Sequence, residues 1–239
     1  MLISHSHKFV LMSPWKTASS TCHDTLRSYN ESSYDRFFAF NPFLNRVIHQ
    51  HVTLAEFLAL PEGQRDYKIG AFVRNPYDRA YSGFVQIQRD FQEQPKIQFA
   101  DRWIGDLVRT QITENMSRVI RAGFDFDEWI LALPDYEVFE VGRNTNMVLH
   151  PAHYWTHVNG QQRVGFIGKV ENFAADFDAF CDYVGIDAPA IVSSNVSEQN
   201  EGSQNDLGPR YADRMSKRSI DRINELFRDD FERFQYEPL

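Results

Sequence analysis

The apolar run Phe9-Val10-Leu11-Met12-Ser13 stops at Pro14, and a short, hydroxyl-rich stretch from Lys16 to Thr21 follows at once. So short a run, bounded by polar residues and a proline, reads as a buried strand. The segment from about 19 to 29 then predicts a helix with Ser19 or Ser20 as its N-cap. A chain that opens strand, loop, helix needs further strands to bury the first. Lys68–Val73 (KIGAFV) supplies one and runs into Arg74-Asn75-Pro76, with Pro76 suited to the first turn of a helix over 77–89. Residues 46–52 read as extended, and Thr53 with Glu56 has capping-box spacing for a short helix. Further strands are expected at 136–141 and 164–167, and helices at 173–184, ending at Gly185, and at 210–231. Strands alternating with helices predict one three-layer α/β domain over 1–239, its mainly parallel central sheet flanked by helices. A helical insertion is expected at about 90–133 and a flexible polar loop at about 193–209.

Charge narrows the partners. The formal net charge is −8, so the surface as a whole does not favour nucleic acid, and a bound anion has to be held by a local basic cluster. Two cysteines, Cys22 and Cys181, are too few for a disulfide framework or a cysteine metal site. No stretch of eighteen apolar residues is present, and Met1 to Lys8 lacks the apolar core of a signal peptide. The expectation is a cytoplasmic protein with no transmembrane segment.

In parallel sheets, ligands sit at the carboxyl ends of strands, where the chain turns into a helix. The loop after Ser13 carries what an oxyanion requires: a cation (Lys16), small residues, hydroxyls (Thr17, Ser19, Ser20, Thr21) and the start of a helix. It lacks the glycine pattern of a Walker A loop. Taken alone, it is equally an ordinary turn with a solvated lysine. After the second strand, Arg74 offers a planar fork suited to phosphate, and Ser82 a hydroxyl about two helical turns on. Taken alone, Arg74, Asp78 and Arg79 are equally a surface charge network.

Together the two segments resemble the nucleotide signatures of sulfotransferases that use 3′-phosphoadenosine 5′-phosphosulfate (PAPS). Lys16-Thr17-Ala18-Ser19-Ser20-Thr21 is similar to their 5′-phosphosulfate loop, although Trp15 stands where the family usually has proline. Arg74-Asn75-Pro76-Tyr77-Asp78-Arg79-Ala80-Tyr81-Ser82 resembles their 3′-phosphate motif, with Arg, Pro, Arg and Ser at the family spacing. Phe166 to Phe173 (FIGKVENF) and the ending Asp230-Phe231 with Phe234-Gln235-Tyr236 resemble two further family segments. The resemblance implies a P-loop-like fold, PAPS as donor, the 3′,5′-bisphosphate (PAP) as product, and no metal. It assigns Lys16, Thr17, Ala18, Ser19, Ser20 and Thr21 to the 5′ end of the donor, and Arg74 and Ser82 to its 3′-phosphate.

Within that superfamily the chain is most similar to the carbohydrate branch, notably the heparan 2-O-sulfotransferase-like members, whose H-x-H pair corresponds to His49-Gln50-His51. The resemblance implies in-line transfer of a sulfuryl group to a hydroxyl on a carbohydrate or glycolipid. His51 is then the general base, His49 its auxiliary, and Lys16 stabilises the leaving oxygens. On an extended segment, residues 49 and 51 share a face. Arg102, Arg109, Arg118 and Arg121 are candidates for an acceptor groove, and Trp103, Tyr154 and Trp155 for sugar stacking; a solvated helix face and ordinary packing are their plainer uses. A small-molecule P-loop kinase and a non-catalytic nucleotide-binding protein are the competing classes. The first needs the missing Walker A glycines, and the second has no use for His51.

Overall fold

Apolar runs buried on both faces form the centre of the protein. A computed structural model describes residues 1–32, 38–94, 101–134, 150–192 and 211–239. In chain order the elements are β1 (Leu2–Ser4), β2 (Phe9–Met12), α1 (Ser19–Thr25), β3 (Ala39–Asn41), β4 (Arg46–Ile48), α2 (Leu54–Ala59), β5 (Lys68–Val73) and α3 (Pro76–Glu93). There follow α4 (Arg102–Arg121), α5 (Phe126–Leu131), β6 (His157–Val158), β7 (Gln161–Gln162), β8 (Phe166–Lys169), α6 (Phe173–Val184), α7 (Lys217–Leu226) and α8 (Arg228–Phe234). The chain divides into two compact units, Met1–Arg74 with Ala152–Gly208, and Asn75–Pro151 with Pro209–Leu239. The expected strand at 136–141 and the polar loop at 193–209 lie outside the described residues.

The first unit holds the central sheet, in the order β1-β2-β5-β8. β2, β5 and β8 are parallel, and β1 pairs antiparallel with β2. The expected mainly parallel sheet flanked by helices is therefore present. Phe9 and Leu11 of β2 and Phe72 of β5 share one face with Cys22 and Leu26 from the α1 segment and Phe177, Phe180, Cys181 and Val184 of α6. The α6 residues recur at i, i+3, i+4 and i+7, the stripe that lays a helix on a sheet. Two glycines make this packing possible. A Cβ on Gly70 would lie 2.7 Å from the Phe180 ring, and one on Gly168 2.5 Å from the Phe72 ring. Cys22 and Cys181 are free thiols in the same core.

Several expected boundaries move. The helix over 19–29 ends at Thr25 and continues as a 3₁₀ turn over Arg27–Tyr29, with Leu26 turned into the core. Its N-cap is Ala18, without a side-chain cap, and not Ser19 or Ser20. The extended segment over 46–52 shortens to β4, which pairs with β3 in a separate hairpin and not in the central sheet. The strand over 164–167 shifts to Phe166–Lys169. The β6–β7 hairpin was not anticipated. Its turn, Asn159-Gly160, has positive φ at both residues, the pattern that an Asn-Gly pair favours.

The second unit is helical. Phe84 of α3 packs on Phe126 and Trp129 of α5 at ring-centre distances of 5.6 and 5.3 Å. The single helix expected over 210–231 is broken into a 3₁₀ turn (Ala212–Arg214), α7 and α8. The break between α7 and α8 falls at Phe227, whose ring lies 4.8 Å from the Arg79 guanidinium. Arg79 is not part of a surface network with Asp78. Its side chain is buried, donating to the His150 carbonyl at 2.9 Å and pairing with buried Asp230 at 3.3 Å. Tyr77, two residues earlier, packs on Phe231 at 5.1 Å. Among the described residues no helix is long and apolar enough to cross a membrane, and no group of His, Cys, Asp and Glu is placed to hold a metal.

Removing one partner of a buried pair leaves the other charge without compensation, a loss of about 3–5 kcal/mol. Asp230→Ala is therefore expected to lower unfolding stability by about that amount in urea titration. A change below about 1 kcal/mol would show that the pair contributes no more than an exposed one.

Candidate functional site

The candidate site is built where β2 runs out. Met12 is the last residue of the strand, and Ser13 and Pro14 lead into the turn. The Thr17 hydroxyl reaches back to donate to the Pro14 carbonyl at 2.8 Å, closing the loop over three residues. That closure is accompanied by left-handed backbone at Lys16 (φ 63°) and Ala18 (φ 59°, ψ 24°). Side chains with a Cβ resist this conformation at a cost of about 1–2 kcal/mol each. Left-handed residues in a tight turn are what aim successive backbone N–H groups into one concavity, the shape that holds an oxyanion. The first N–H groups of α1 lie immediately beyond, and the short side chains of Ala18, Ser19 and Ser20 leave room for backbone approach. The donor set thus fits a phosphosulfate. Lys16 is half-buried, with Nζ 5.9 Å from the centre of the Trp15 ring, so the residue that replaces the usual proline flanks the cation.

The parallel register brings other cations to the same edge of the sheet. Met12 pairs with Ala71 and Val73 with Lys169, so Arg74 follows the end of β5 beside the β2 exit, and Lys169 ends β8. Arg74 is half-buried. Ser82 lies in the second turn of α3, a helix capped by the Asn75 side chain accepting from the Tyr77 N–H, with Pro76 at its first position. Arg74 closes the first unit and Ser82 belongs to the second.

His49 and His51 come together, although β4 has already ended. Their rings are 4.9 Å apart and nearly perpendicular, and the His51 N–H donates to His49 Nδ1 at 3.3 Å. Contacts on both flanks hold this stretch. Before it, Arg46 of β4 is ion-paired to Glu56 of α2; after it, Thr53 and Glu56 form the expected capping box. The buried Trp155 indole donates to the His51 carbonyl at 3.3 Å. Trp155 is thus a packing residue and not a surface for sugar. Nothing in the sequence pattern marked it as the support of His51.

The surroundings of the His51 ring fix its tautomer. It is buried, and Nδ1 lies 2.6 Å from the Ser13 carbonyl, which can only accept. Nδ1 is therefore the protonated nitrogen and Nε2 the basic one. The Gln50 amide nitrogen sits 3.2 Å from Nε2, and Gln50 Oε1 is buried with no hydrogen-bond partner among the described residues. Burial, followed by the neighbouring His49, holds the imidazole well below its usual titration range. His49 is lowered to about 3, first by burial and then by the nearby Met1 amino group. A third histidine, His23 of α1, is buried with Nε2 3.3 Å from the Ser13 hydroxyl. Spacing alone does not single it out, because it falls on the inner face of a helix.

Both H-x-H imidazoles are thus neutral in the folded protein at pH 7. In the unfolded chain they titrate near 6.5. Between the two values the unfolded state binds more protons, so the associated stability is complete above about pH 6.5 and is lost as pH falls towards the folded values. His51→Gln is expected to flatten the drop in melting temperature between pH 7.5 and 5. A variant that loses as much as the parent would show that His51 is not held neutral by burial.

The family model described as "Sulfotransferase family" matches residues 1–237. No curated protein and no solved structure gives a significant match. A match of that extent, over a mainly parallel sheet, means that the chain belongs to the sulfotransferase family and is a sulfuryl-transfer enzyme.

Proposed function

We propose that this enzyme transfers the sulfuryl group of PAPS to a hydroxyl on a carbohydrate or glycolipid, with His51 as the general base. The observation that carries the reading is the bond from His51 Nδ1 to the Ser13 carbonyl. It commits one nitrogen as a donor, leaves Nε2 basic, and tethers the base three residues before Lys16. The family implies PAPS as donor and PAP as product. A cytoplasmic setting suits the two free, buried thiols.

In this reading Nε2 of His51 takes the proton of the acceptor hydroxyl once Gln50 has swung aside. Gln50 Oε1, which can only accept, then takes a bond from a second hydroxyl of the acceptor. His49, accepting from the His51 backbone N–H, positions the base and does not titrate with it. Lys16, the backbone of 16–20 and the hydroxyls of Thr17, Ser19, Ser20 and Thr21 balance the charge that builds on the leaving phosphate. Arg74 and Ser82 keep the 3′-phosphate role that the motif resemblance gives them. The carbohydrate acceptor rests on the H-x-H resemblance. No step calls for a metal.

The test is labelled-sulfate transfer from PAPS across glycan, glycolipid, phenol and peptide acceptors; transfer to phenol or peptide alone would overturn the carbohydrate reading. His51→Ala is expected to lower turnover by about 10²–10⁴ and leave PAP affinity unchanged. Lys16→Ala should reduce both turnover and PAP affinity. Because His51 is neutral well below pH 6.5, the acid limb of kcat/KM should fall below that pH, and an ordinary limb near 6.5 would remove His51 from the role.

In thermal shift, PAP should protect more than ADP. Equal protection would remove the 3′-phosphate assignment of Arg74 and Ser82.

A further inference from the structure

The β3–β4 hairpin has two unlike faces. Cross-strand partners share a face, so the pairs Asn41–Arg46 and Ala39–Ile48 lie on one, and Phe40–Val47 on the other. The first face is turned to the protein: Asn41 and Ile48 are buried, and Arg46 is ion-paired to Glu56 of α2. The second is apolar and open, with Phe40 47% exposed. It does not stop with the strands. Phe38 and His49 stand one place beyond the Ala39–Ile48 pair, and their rings are 4.6 Å apart. His49 in turn meets the His51 ring at 4.9 Å. A line of side chains therefore runs from Phe40 and Val47 through Phe38 and His49 to His51. At its other end the hairpin turns through Pro42-Phe43-Leu44-Asn45. Asn41 Oδ1 pins that turn, accepting from the N–H groups of Phe43 and Leu44 at 3.0 Å each, and Asn45 is left-handed (φ 49°). Phe43 is nonetheless 68% exposed, the most exposed large apolar side chain among the described residues. One exposed apolar residue is ordinary; two phenylalanines on a pinned hairpin that leads to the histidine pair mark a binding surface.

We infer that this hairpin binds an apolar aglycone of the acceptor, so that the substrate is a glycoside carrying an alkyl or aryl group and not a bare glycan. The inference rests on the proposed role of His51 as base. Phe38, Phe40 and Val47 offer no hydrogen bond, which a sugar requires of most of its binding surface. Hydrogen-bonding side chains begin at the histidine end, where the reacting hydroxyl has to be. The strip thus fits the part of an acceptor that water disfavours, and its continuity with the base points to a substrate and not to a second copy of the chain.

Calorimetric titration of the intact protein, with PAP present, compares octyl β-glucoside below its micelle-forming concentration with methyl β-glucoside. The octyl glycoside is expected to bind at least about 10-fold more tightly. Phe40→Ser and Phe43→Ser should each remove most of that difference, Phe43→Leu should keep it, and none of the three should change PAP affinity. Phe43 sits exposed in the turn, so its serine variant is expected to fold even if Phe40→Ser does not. Equal affinity for the two glycosides overturns the inference, as does an octyl preference that Phe43→Ser leaves intact. A parent dimer that Phe43→Ser splits in sedimentation also overturns it, because the face is then a contact between copies. Failure of the carbohydrate reading looks different in the transfer assay. In that case no glycoside is sulfated, whereas failure of this inference alone leaves long-chain and short-chain glycosides sulfated with the same KM.

Discussion

The carbonyl of Ser13 is where strand and chemistry meet. It belongs to the residue that follows β2, so its position is set by the parallel pairing of β2 with β5, which runs up to Met12. It accepts from His51, so the orientation of the imidazole is set by the same strand. The residues that follow it form the loop of Lys16. A base and an oxyanion cradle that had to be aligned through flexible segments would lose effective concentration with each loose joint. In the proposed function the base and the donor loop share this one backbone group. Ion pairing of Arg46 to Glu56, the capping box of α2 and the Trp155 indole then hold the other end of the histidine stretch.

That arrangement carries strain. Lys16 and Ala18 adopt left-handed backbone, which glycine would take without steric cost. Ala18 is the smallest side chain that keeps the unfolded loop less floppy than glycine would, and Lys16 cannot be glycine without surrendering its charge. The hydroxyl of Thr17 offsets part of the cost by donating to Pro14 across the turn. Strained backbone of this kind persists only where the surrounding structure holds it, and it clusters at ligand-binding turns.

How much of this was legible follows from the range of the forces involved. The buried strands Phe9–Met12 and Lys68–Val73, the capping box at Thr53, and α6 with its Gly185 stop all depend on local pattern, and all were readable. The Lys16 loop and the H-x-H pair were readable as residue types at a spacing. The N-cap of α1 was not, because the left-handed turn at Ala18 starts the helix a residue early and leaves Ser19 and Ser20 inside its first turn. The break at Phe227 was hidden too. It is set by a ring packed under Arg79, a contact nearly 150 residues away in sequence that no local window contains. The role of Trp155 was hidden for the same reason, its partner His51 lying 104 residues away, and His23 because it falls on the inner face of a helix.

Arg79 shows why a motif matched by spacing should be divided by environment. Arg74 and Arg79 fall in one nine-residue signature, yet only Arg74 is accessible. Arg79 spends its guanidinium on the His150 carbonyl, Asp230 and the Phe227 ring. The two motif segments that look unrelated in sequence, 74–82 and 230–236, are therefore partners in one piece of packing, Arg79 with Asp230 and Tyr77 with Phe231. A buried ion pair adds little net stability over an apolar pair of the same volume, but breaking it is costly. Its spacing is thus restricted by the fold as tightly as a ligand would restrict it. An arginine whose partners are all internal is explained by folding.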